Sequence, residues 1–146
     1  MKILLGVDDS RHSRAATDFI ATSLWPRDTR VIVLSASPRF FVGPGEAASP
    51  AAIEKILEEQ GAYHRDLAKY AEQKIRTAGL KAESRMVQGD PRDALVETAR
   101  EDRVDLIVVG SHGRTGLSKL LLGSVASHIV AHAPCNVLVV KLPATG

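Results

Sequence analysis

Between Gly110 and Ser124 the chain reads GSHGRTGLSKLLLGS, which holds four glycines, two cations and several hydroxyls. Gly110 and Gly113 can turn backbone N–H groups inward and admit a ligand closely, because neither carries a Cβ. Arg114 and Lys119 supply positive charge nearby. Gly123 and Ser124 open the run VASHIVAHA, and a helix start presents free N–H groups and the positive end of a dipole. The Ser124 hydroxyl adds one more donor. Two donor clusters separated by a nine-residue excursion can converge on one polyphosphate. The alternative is a plain turn followed by a helix-packing glycine.

Other phosphate and nucleophile motifs fail on spacing. No window supplies the G-x-x-x-x-G-K-[ST] of a Walker loop. The dinucleotide fingerprint belongs after the first strand, where this chain reads VDDSRHS. The G-x-S-x-G elbow of esterases is missing as well. His128 and His132 stand four apart on one helix, as a metal pair would, but no third ligand is apparent, and histidines in a last turn suit the helix dipole. Asp8 and Asp9, with Lys141 after the last strand, are similar to the acidic pocket of response-regulator receivers. A receiver also needs an Asp ending strand three, where the chain reads MVQGD and Asp90 suits a helix cap. Cys135 sits in APCNVLVV, a strand entry. His112 and Asp9 are the candidate bases for activating a water, and neither is evidently placed for it.

These residues need elements to position them. Continuous apolar runs at 2–7, 31–37, 105–110 and 136–140 suit strands buried on both faces, as in parallel sheets, and weaker alternation at 81–88 suggests a fifth. A long amphipathic helix fits 51–78, with Gly79 as its stop, and shorter helices fit 11–24, 91–102 and roughly 118–132. Ser10 and Asp90 are the expected caps of the first and third helices, with Pro91 in the first turn. The alternation β-α-β-α-β-α-β-α-β predicts an α/β layer fold with right-handed crossovers. Residues 38–50, PRFFVGPGEAASP, break the rhythm as a long loop leaving the C-terminal end of strand two: either a lid or partner contact, or a disordered insertion.

Composition narrows the classes. A chain of 146 residues is expected to form one domain across 1–146. A formal net charge of +2 gives no case for nucleic acid or an anionic membrane as the main partner. The opening MKILLGVDDS has too short an apolar run for a signal peptide, and no run approaches the length of a membrane span. The single cysteine excludes an intrachain disulfide and fits a reducing, cytoplasmic setting.

The spacing G-x2-G-x9-G-S over Gly110, Gly113, Gly123 and Ser124, with GVDDS, QGDP, DLIVVGSHGRTG, LLLGSVASHIV and CNVLVVK, resembles the ATP-binding branch of the universal stress protein family. The resemblance spans almost the whole chain. It implies a three-layer, Rossmann-like sheet of the adenine nucleotide alpha hydrolase type, with five parallel strands in the order 3-2-1-4-5 and four helices. The crevice at the ends of strands one and four is then the topological switch point, where open α/β sheets bind ligands. By resemblance, Val7, Asp8 and Ala36 lie around adenine and ribose, although SAS departs from the family's commoner His-Val ending at Ala36. Val109 and Gly110 lie under the nucleoside, His112, Gly113 and Arg114 near the phosphates, and Gly123, Ser124 and Val125 on phosphate oxygens. The expected ligand is ATP or another adenine nucleotide, with any Mg or Mn held mainly by the phosphates. The expected role is a binding switch with slow hydrolysis at most; a slow ATP hydrolase and a nucleotide-independent interaction module are the alternatives. The run 136–140 is apolar on both faces at a sheet edge, so a homodimer through that strand is expected.

Overall fold

The computed structural model describes residues 1–39, 43–45, 48–113 and 121–143. Five strands, β1 (Lys2–Gly6), β2 (Arg30–Ser37), β3 (Lys81–Gln88), β4 (Leu106–Gly110) and β5 (Asn136–Val140), form one sheet in the order β3-β2-β1-β4-β5. Every neighbouring pair is parallel. Four helices connect them: α1 (Arg11–Thr22), α2 (Pro50–Thr77), α3 (Pro91–Glu101) and α4 (Ser124–His132).

Each face of the sheet has its own core. Ile3, Leu5, Val31, Val33 and Val108 pack with Ala16 and Ile20 of α1 and Ala68, Ala71 and Ile75 of α2. Leu4, Ile32, Leu34, Ile107 and Val109 pack on the other side with Leu95 and Ala99 of α3 and Ala126 and Ile129 of α4. Successive residues of one strand thus serve opposite layers, which is why the central strands read as unbroken Val, Ile and Leu. β3 is an edge strand and keeps a polar alternation, with Ser84 donating to the buried Glu72 of α2.

Most helix ends follow local chemistry. The Ser10 side chain accepts from the Ser13 N–H, and Asp90 accepts from the Arg92 N–H. Past α2, Gly79 has φ +95, with Gly79 N–H bonded to Arg76 O and Leu80 N–H to Ile75 O, a Schellman end that needs the left-handed residue. The expected 51–78 shifts to Pro50–Thr77, with Ser49 as its cap. The expected 11–24 stops at Thr22, and β1 ends at Gly6 rather than at residue 7. The larger correction concerns α4: it begins at Ser124, not near 118, and Leu121 and Leu122 lie in a bend. Residues 118–120 lie outside the described residues, as do 40–42 and 46–47 of the expected loop at 38–50.

Candidate functional site

β1 and β4 are adjacent, with Leu4 level with Ile107, so their C-terminal ends open side by side. Past β1, Val7 N–H still donates to Leu34 O at 2.9 Å. The next turn is locked by short-range bonds. Asp8 N–H donates to Ser13 Oγ at 3.0 Å, while Asp8 Oδ1 accepts from Ser10 N–H at 2.8 Å. The second carboxylate oxygen, Oδ2, faces the end of the other strand: a Cβ built on Gly113 would stand 3.2 Å from it.

The spacing of the glycines has a geometric cause. At Gly110 a Cβ would stand 2.7 Å from the His12 backbone, so only glycine lets α1 lie this close to β4. The chain departs after Gly113 and returns at Gly123, whose N–H donates to Ser111 O at 2.7 Å. A Cβ on Gly123 would lie 3.0 Å from His112 Cα. The return therefore seals against the departure, and this contact starts α4 at Ser124 in spite of the helix-forming residues before it. Gly123 is the N-cap and provides no side-chain capping bond. The N-cap thus supplies no side-chain acceptor of its own to the first N–H groups of α4, and such groups at a helix start are a common place for an external acceptor.

Val7, Asp8, Ala36, Val109, Gly110, His112, Gly113 and Val125 line one crevice that is open to solvent. Gly123 stands beside it through the contact with Ser111 and His112, and Ser124 follows as the first residue of α4 without being part of the lining. Arg114 lies outside the described residues. The sequence reading missed Ser13, Pro91 and Leu95, which also line the crevice. Ser13 was detectable as the residue three beyond the Ser10 cap. Leu95 reads from its sequence only as a core residue of α3.

Electrostatics at the crevice centre on His12, His112 and Asp8. Burial holds the His12 imidazole below its ordinary range; His112 and Arg11 push the same way and Asp8 opposes them. Asp9 accepts from the Tyr63 hydroxyl at 2.7 Å. Asp90 caps α3 and pairs with Arg92 at 2.6 Å, as a cap should and a phosphoacceptor should not. His128 and His132 are stacked, with centroids 4.2 Å apart, and His132 Nδ1 bonds His128 O at 3.0 Å. Among the described residues no group of three or more His, Cys, Asp or Glu side chains is arranged to hold a metal. Burial raises the Cys135 thiol above its ordinary range, as suits a packed thiol at the entry to β5. No helix among the described residues is long and apolar enough to cross a membrane.

The comparisons with known proteins agree with this architecture. A universal stress protein of Methanocaldococcus jannaschii is 38% identical over 113 residues, which cover 77% of this chain and 64% of that protein. A universal stress protein of Thermus aquaticus is 30% identical over 139 residues, covering 95% of this chain and 97% of the relative. A universal stress protein solved in complex with cAMP superposes with a TM-score of 0.63 at 28% identity, over 97% of this chain and 96% of that one. The profile of the Universal stress protein family matches residues 1–141, and the chain belongs to that family.

Proposed function

We propose that this protein binds ATP or another adenine nucleotide in the crevice between β1 and β4, as a regulatory switch with slow hydrolysis at most. The observation that carries the reading is the convergence of Asp8 Oδ2, Gly113 and the start of α4, which has no side-chain cap, on one opening. The relative solved with cAMP supports the ligand class. Val7, Asp8 and Ala36 would surround adenine and ribose, with Asp8 Oδ2 accepting a hydrogen bond. Val109 and Gly110 would lie under the nucleoside. His112, Gly113 and Arg114 would meet the phosphates with Gly123, Ser124 and Val125. A Mg or Mn ion would arrive on the nucleotide, held mainly by phosphate oxygens. Native mass spectrometry of the purified protein tests the reading by a co-purified nucleotide, and calorimetry with ATP tests it directly; absence of both overturns it.

A homodimer through β5 belongs to the same reading. β5 is an edge of the sheet, and Val137, Leu138 and Val139 remain half-buried. An antiparallel second copy would satisfy its outward backbone groups in an isologous contact. Light scattering should give twice the chain mass at micromolar concentration. Val139→Asp should shift it towards monomer.

A further inference from the structure

Behind His112, which lines the crevice, stands a polar trio that the proposed nucleotide contacts only partly use. Ser111 is 2% exposed, and its hydroxyl lies 3.2 Å from His12 Nδ1 and 3.0 Å from His112 Nδ1. The two imidazole centroids are 5.1 Å apart. A hydroxyl has one proton to donate and two lone pairs to accept with. With both rings neutral, every polar atom at this contact is used when Ser111 donates to one Nδ1 and accepts N–H from the other. Two charged rings would both donate to Ser111, strand its buried proton and repel each other.

The charged groups around His12 come from several elements. Arg11 lies on its own helix, Asp8 at the end of β1 and His112 beyond β4. Across the groove between α1 and α2 stand Asp9, Arg14, Asp66 and Lys74. β5 also packs on α1 and carries no titratable side chain. Burial, His112 and Arg11 together favour the neutral His12 ring. Phosphate at Gly113 would oppose that balance, since His112, whose ring centroid lies 5.1 Å from that of His12, lines the same crevice as Gly113, and a negative charge there favours a charged imidazole.

We propose that His12 is a positioning residue of the nucleotide site: through Ser111 it orients His112, and it couples binding to the uptake of a proton on its own ring. Affinity then rises as pH falls through the imidazole range, because a ligand that favours the charged ring must itself be favoured by acid. This rests on the nucleotide reading above.

The test is calorimetry of the full chain with ATP, in buffers of differing ionisation enthalpy, so that heat reports proton uptake. His12→Asn presents a side-chain amide where Nδ1 stands, and so keeps the bond to Ser111 without titrating. His12→Ala loses both. The wild-type protein should gain affinity about five- to tenfold more than His12→Asn between about pH 8 and pH 6, a difference that cancels the ligand's own phosphate ionisation. His12→Ala should bind more weakly throughout, and His12→Asn should recover most of that loss at the alkaline end. Equal proton uptake by wild type and His12→Asn overturns the relay while leaving nucleotide binding intact. No binding by the wild type at any pH overturns the nucleotide reading, and this proposal with it. As a check that does not depend on variants folding, NMR titration of the wild-type His12 imidazole should show its proton uptake moved to higher pH by ATP. A His12 titration unmoved by ATP overturns the proposal.

Discussion

The two ends of the sheet treat their polar groups in opposite ways. At the N-terminal rim the chain answers its own charges. Lys2 Nζ donates to Asp102 O at 2.7 Å, and Arg85 grips the Asp102 carboxylate through two bonds of 2.7 and 3.1 Å. Lys81 meets Asp28 at 3.2 Å, and Arg76 Nε donates to Ala82 O at 2.8 Å. At the C-terminal rim the bonds run mostly between backbone and short side chains, and α4 starts without a side-chain cap. The charge-rich rim also encloses a cavity, yet Lys2, Arg76, Lys81 and Arg85, which line it, each already hold an acceptor. A site depends on what the fold leaves unanswered, more than on how many charges stand nearby.

The largest expected effect comes from Gly110→Val. The added Cβ would lie 2.7 Å from backbone atoms of His12, which cannot swing aside as a side-chain end can. Overpacking of this kind costs about 3 kcal/mol or more where a helix must move. The urea midpoint should fall accordingly. A midpoint unchanged from wild type would show that α1 does not need the glycine.

Gly113→Val sharpens the contrast at a position three residues on. There the new Cβ would approach only the Asp8 carboxylate, at 3.2 Å, so the fold should tolerate it better than Gly110→Val. ATP affinity should nevertheless drop by more than about tenfold, since on the proposed reading bulk then stands where phosphate meets backbone. Ser124→Ala removes a single donor to a charged group, a loss of roughly 1.5–3 kcal/mol at most. Calorimetry that found unchanged ATP affinity in Gly113→Val would refute the phosphate assignment.

Much of this was legible in the sequence, for reasons that differ by residue. The order of elements showed because strands buried on both faces must be apolar throughout, as VIVL and LIVV are. The caps Ser10 and Asp90 and the stop at Gly79 showed because each acts on neighbours within a few residues. The start of α4 did not. SKLLL favours a helix locally, whereas the true start is fixed by Gly123 N–H bonding Ser111 O across the excursion. His12 was invisible for the same reason. Its bond to Ser111 exists only because Gly110 lets α1 settle against β4. The glycine spacing indicated where the chain comes together, while the side chains gathered there depended on packing.

The smallest effect belongs to the other rim, and its pH dependence is the point. Hydrogen bonds from Arg85 hold the Asp102 carboxyl below the usual range; burial opposes them. The pair is not sealed, with 38% of the Arg85 side chain and 23% of that of Asp102 exposed, so water and salt screen it. Its contribution should be about 1 kcal/mol or less. Because the folded carboxyl is the stronger acid, this stability is complete above the unfolded value of about 3.9 and fades as pH falls through the lower folded value. Asp102→Asn should therefore lower the urea midpoint at neutral pH, and the gap from wild type should close in acid, where the wild-type carboxyl is protonated as well. High salt at neutral pH should narrow it too. A gap that persisted unchanged in acid and in salt would mean that Asp102 serves packing or backbone bonding instead. The N-terminal rim would then owe its stability to something other than matched charge, and the contrast with the crevice would lose its basis.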